Sequence, residues 1–160
     1  MARFEQLNKN TEDILLSIID NQNLCKLIHY DSNDPFSEKD IEDTSELLFE
    51  RIFPFPKIPG VETKALTYLN VYMDNFLIPS ANNGVKEALI IFNVITHNDL
   101  WRMEGTGMLR PYSILHEIDE MFNKERVIGI KKLKFNRGKY IYLNNQFGGY
   151  EASYVVTSVN

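Results

Sequence analysis

Cysteine is nearly missing from this chain: Cys25 stands alone in 160 residues. An internal disulfide is impossible, and a single thiolate cannot build a zinc site, so synthesis in a reducing cytoplasm is expected. Long apolar runs are missing too, and none approaches the ~18 residues needed to cross a bilayer. The opening Met1-Ala2-Arg3-Phe4-Glu5-Gln6 lacks the basic-then-apolar pattern of a secretory signal. Positive charge is in deficit, with 17 Lys and Arg against 22 Asp and Glu and a formal net charge of −5. General attraction to nucleic acid or to an anionic membrane is therefore excluded as a property of the whole surface.

Motifs for catalysis are just as scarce. No Gly-x-Ser-x-Gly elbow occurs, and neither phosphate-binding glycine pattern is present. Gly105-Thr106-Gly107 is too short to cradle a phosphate. Of three histidines, His116 has Asp119 and Glu120 one helical turn on, but no second histidine pair completes a metal site. His97-Asn98-Asp99 suits a strand-end hydrogen bond, and His29 suits a helix C-terminus. Glu62-Thr63-Lys64 has a Glu-x-Lys form used by metal-dependent nucleases, yet no matching Asp precedes it on a strand. The chain reads as a non-enzyme, with no catalytic, cofactor-binding or metal-ligating residues.

What is present is a normal globular balance, 44% hydrophobic and 24% charged, at a length suited to one domain. Helices are expected over 10–52, a first from Asn10 with Ile14, Leu15, Ile18 and Ile19 inward, running on or restarting after Asn21 through Leu24, Leu27 and Ile28. A further helix is expected from Ser37, with Leu47, Leu48 and Ile52 inward. Pro54, Pro56 and Pro59 then impose a stiff extended arm over 53–60 that carries Phe53 and Phe55. The body over 65–160 changes period: a half-buried strand near 65–73, and a strand over 87–96 apolar on both faces and hence central. A helix follows from Pro111 to about Arg126, then three antiparallel strands with a turn at Asn136-Arg137-Gly138. The order α-α-β-β-α-β-β-β predicts an α+β fold, a mostly antiparallel sheet with helices packed against it.

Charge is segregated. Residues 31–50 hold eight acids, among them Glu38, Glu42, Glu46 and Glu50, and the single base Lys39. Residues 124–139 hold seven bases, including Lys131, Lys132, Lys134, Arg137 and Lys139, and the single acid Glu125. Two solvated faces would account for this. A sharper reading has each patch meet the other on a neighbouring copy, which favours head-to-tail contact and closes into a ring when the rotation allows. The alternative is a nucleic-acid-binding module using the basic hairpin 131–142, where Tyr140 and Tyr142 follow the cations and offer stacking surfaces.

The central strand over 88–97, the loop after it, the helix opening Arg110-Pro111-Tyr112-Ser113 and the terminal sheet together resemble the tail-terminator and neck proteins of tailed bacteriophages. The resemblance covers residues 65–160 by element order and does not extend to the acidic segment or the arm. It implies a structural virion protein, a homo-oligomer forming a ring (usually hexameric) that joins the tail tube to the head-tail connector. Its partners would be those two assemblies, with no membrane and no specific nucleic acid, although DNA passes through such rings. Under this reading the interface draws on the basic and acidic residues named above and on Phe53 and Phe55.

Overall fold

The computed structural model describes residues 5–60, 64–77, 85–104, 108–123 and 133–159. Two helices come first, α1 (Glu5–Ile19) and α2 (Gln22–His29). In α1 the residues Asn10, Ile14 and Ile18 recur every four positions and are buried. The helix is already formed at Glu5, ahead of the start expected near Asn10. Asn10 is inside it, accepting a bond from Gln6 Nε2 at 2.9 Å instead of capping an end. The chain then restarts, because Asn21 caps α2 by accepting from the Leu24 amide.

The expected helix from Ser37 does not form. Residues 35–51 hold only two short 3₁₀ turns, Pro35–Ser37 and Thr44–Leu47. Adjacent acids repel along such a helix, and Asp43, Thr44 and Ser45 favour local turns over helical hydrogen bonding. Tertiary partners satisfy the backbone instead: Gln22 bonds both the amide and the carbonyl of Ile41, and the Thr44 hydroxyl donates to the Ile19 carbonyl at 2.6 Å. Lys26 pairs with Asp40 at 2.7 Å and ties the segment to α2. The chain reverses at Phe49, whose φ is 64°, and enters β1 (Ile52–Phe53).

The sheet has five strands in the order β1-β2-β3-β5-β4, adding β2 (Thr67–Leu77), β3 (Val85–His97), β4 (Lys134–Tyr142) and β5 (Phe147–Val159). Only β1–β2 is parallel; the other pairings are antiparallel. The fold is α+β, and β3 is central as its two-sided apolar sequence required. Helix α3 (Arg110–Phe122) lies with α1 and α2 on one face. That face buries Ile14, Ile18, Leu69, Phe92, Ile114, Ile118 and Phe122 in one core.

Among the described residues two strands follow α3, against the three expected. The Asn136-Arg137-Gly138 turn signal sits inside β4, where the register shifts between Phe135 and Arg137. One extra residue is absorbed as a bulge, and Asn136 donates to the Ser153 hydroxyl at 3.0 Å. Residues 124–132, which carry the start of that expected strand and the end of the expected third helix, lie outside the described residues, as do the 82–84 turn and the 105–107 glycine segment.

The arm is not free. Phe53 is 6% exposed and packs its ring, tilted, against Tyr68 at 5.8 Å, so it belongs to a second, smaller core with Leu66, Ile95 and Phe147 on the helix-free face. The Lys57 carbonyl accepts from Asn70 Nδ2 at 2.8 Å, which pins the arm across that face. Tyr68 and Asn70, polar-side positions of a half-buried strand by their alternation, are thus buried on both counts.

Candidate functional site

The sheet order decides where charge sits. The acidic segment packs on α1 and α2, and only its end, through the Leu48–Ile52 bridge, joins β1 at one edge of the sheet. The basic residues Lys134, Arg137 and Lys139 are exposed on β4, the opposite edge. Four inter-strand spacings separate the two edges, roughly 19 Å. Glu42, Glu46 and Glu50 are exposed and Glu38 half-buried. The ion pairs of this region go to Asp40, with Lys26, and to Asp31, with Arg51 at 3.4 Å. Among the described residues, none reaches Glu42, Glu46, Glu50, Lys134, Arg137 or Lys139. Lys131 and Lys132 lie outside the described residues. Phe53 is spent on its own core, whereas Phe55 stays 44% exposed beside Phe53 and Phe49.

On β4 the cations and the rings part company. Lys134, Arg137 and Lys139 are register partners of Val155, Ser153 and Glu151, on the helix-free side. Phe135 and Tyr140 contact Tyr154 and Tyr150, which face the helices. Around Tyr150 a cluster forms with Trp101 at 6.1 Å, Tyr112 at 5.1 Å and Tyr140 at 5.8 Å. The Tyr112–Tyr150 hydroxyl bond, with help from burial, pushes the Tyr150 hydroxyl up to about 12.

The helix-free face holds a feature that sequence reasoning missed. Phe53, Asn70, Asn93, Glu151 and Lys139 are successive register partners across all five strands. The last four line a groove of about 300 Å³ between the arm, at Pro56, Lys57 and Ile58, and the run from Lys139 to Leu143. Asn70 and Asn93 are 1% and 8% exposed, and each uses its amide nitrogen, to the Lys57 carbonyl and to the Tyr72 hydroxyl. Each leaves its Oδ1 buried without a partner. Burial raises the Tyr72 hydroxyl, the Asn93 bond opposes this, and the Glu151 charge adds to it. The one signal in the sequence was an asparagine inside the otherwise apolar run Leu89 to Ile95.

The candidate chemical residues resolve into structure. His97 Nδ1 accepts the Asp99 amide at 3.1 Å, a strand-end bond made by an unprotonated nitrogen. Asp119 accepts from the Tyr154 hydroxyl at 2.8 Å, which occupies the carboxylate nearest His116 in the expected triplet. No group of three metal-capable side chains occurs among the described residues, and no described helix is long and apolar enough to cross a membrane. Cys25 is fully buried, and burial, with the Asp20 charge second, pushes its thiol up to about 12. The folded chain is therefore expected to resist iodoacetamide at pH 8 and to react fully in urea, read by mass spectrometry. Stability tied to the neutral thiol is complete below 9.0, the ordinary value, and declines as pH rises toward about 12.

A family model described as YomW matches residues 21–156. No curated protein matches the chain.

Proposed function

The chain belongs to the YomW family, and from that premise we propose that it is a structural protein of a tailed phage, a tail-terminator ring subunit joining the tail tube to the head-tail connector. The family's phage association supports the setting. The observation that carries the reading is that acids without an ion pair among the described residues lie in the segment leading to β1, and bases of the same kind lie on β4, so the two fall at opposite ends of the strand order. Identical edges repel, and unlike edges of successive copies attract, so contact is heterologous and propagates in one direction until it closes. Each exposed pair contributes only ~0.2 to 1 kcal/mol, but several across one edge sum and also set register. The long exposed strand β4 is the end strand of the sheet among the described residues, an edge that such a contact covers.

Lys134→Glu with Lys139→Glu is expected to leave the far-ultraviolet circular dichroism unchanged and to abolish self-association in sedimentation velocity and negative-stain imaging. Glu46→Lys with Glu50→Lys, mixed with that variant, restores mixed assembly in part. Normal assembly of the lysine variant at physiological salt sinks this account of the interface. The nucleic-acid reading has Tyr140 and Tyr142 exposed beside the cations in its favour. Retention of short oligonucleotides that falls with salt at a slope of roughly −0.7 to −0.9 per phosphate would favour it over the ring. The division of rings and cations between the two faces of β4 argues against it, since a stacked strand needs both on one track.

A further inference from the structure

We infer that the groove on the helix-free face binds a primary ammonium group, held where Asn70, Asn93 and Glu151 stand side by side on adjacent strands. Two amide oxygens are buried there without donors, an arrangement a fold retains at a cost in stability unless something occupies it. The Asn70 amide is oriented by its bond to the Lys57 carbonyl, which only its nitrogen can make, so its oxygen is the free atom. Glu151 is half-buried next in the row and supplies a third acceptor with negative charge. An ammonium has three donors and no acceptor, and three acceptors await it.

The rim narrows the bearer of that group. Lys139 is the register partner of Glu151, and Lys57 lines the arm side with its amine 5.8 Å from the Phe53 ring centre. Two cations at the mouth disfavour a bare amine and favour a carboxylate close to the ammonium, as in an α-amino acid. Ile58, Ile95 and Pro56 give an apolar wall for a side chain. The same ammonium occurs at the start of a polypeptide, where an amide replaces the carboxylate. The acceptors of this site, Asn70, Asn93 and Glu151, are on the three inner strands, and only its rim residue Lys139 is shared with the edge used in the assembly reading.

The test titrates leucine, leucine amide and N-acetylleucine into the full chain, following the side-chain amide resonances of Asn70 and Asn93 by NMR. Leucine is expected to shift them saturably, and N-acetylleucine, which lacks the ammonium, is expected to leave them in place. Weaker binding of the amide than of leucine identifies a free amino acid; equal or tighter binding identifies a chain terminus. Glu151→Gln is expected to weaken leucine binding roughly tenfold or more. Asn93→Leu, which keeps the branching at Cγ and the number of side-chain heavy atoms, is expected to abolish binding while raising the melting temperature, an outcome a merely structural asparagine does not give. If no compound shifts these resonances, or N-acetylleucine shifts them as leucine does, the groove holds only water and the inference is overturned.

Discussion

Arg110→Met is expected to destabilise the fold by roughly 4 kcal/mol or more, enough to leave most of the chain unfolded at 37 °C. Arg110 is fully buried at the first position of α3. Its guanidinium donates to four carbonyls: Leu100 at 3.0 Å, Leu27 at 2.6 Å, Tyr30 at 3.0 Å and Ser32 at 2.6 Å. Among the described residues no carboxylate forms an ion pair with it, and burial lowers its pKa, with the Asp31 charge opposing. The cation sits at the C-terminal end of α2, where helix carbonyls lack partners and the dipole is negative. Arg51 takes the neighbouring Ile28 carbonyl at 3.0 Å, and the Tyr30 amide takes that of Lys26. Arg110 thus fastens the end of α2 and the start of the acidic segment to α3. Methionine fills much of the space but leaves four carbonyls, two buried and two partly buried, without these donors, the costly half of the exchange. Arg110→Lys keeps the charge but not the planar fork, and about half that loss is expected. Urea unfolding checks both, and a methionine variant within 1 kcal/mol of the parent contradicts this anchoring role.

Gly149→Ala is expected to cost about 3 kcal/mol, at the upper end of overpacking effects, and to loosen the β3–β5 pairing. Gly149 is the register partner of Ile95 in the middle of the sheet. A Cβ there would overlap the Val94 carbonyl oxygen and stand 2.8 Å from its carbon. Both obstacles are backbone of the central strand, so neither can swing aside. Gly138→Ala is the control, because its Cβ would meet only the Phe135 ring at 3.7 Å. Removing backbone freedom from the unfolded chain makes that change neutral or stabilising by up to ~1 kcal/mol. Amide exchange at 90–95 separates the two: faster in the first variant, unchanged in the second.

The sequence by itself determined the parts that rest on local periodicity and on counts. One cysteine excluded disulfides, and the alternation and apolar run of β2 and β3 identified the central strand. The stripe Ile114, Ile118 and Phe122 placed α3, and the prolines fixed an extended arm. Tertiary structure decided everything that required knowing what lies across the chain. The segment from Ser37 reads as a capped helix only while its neighbours are unknown; Gln22, Lys26 and the Ile19 carbonyl offer its backbone better partners. Asn136-Arg137-Gly138 reads as a turn until Ser153 arrives beside it and makes a bulge the cheaper accommodation. Arg110 looks like a surface cation, yet α2 brings carbonyls that only a buried guanidinium can serve. The row Asn70, Asn93, Glu151 and Lys139 spans four strands separated by up to 81 positions and exists only through register. Opposite charges were visible as two runs in the sequence. That the basic run lies on the edge strand β4, while the acidic run packs on α1 and α2 and ends at β1 on the other edge, follows from long-range hydrogen bonding and burial and from no local pattern.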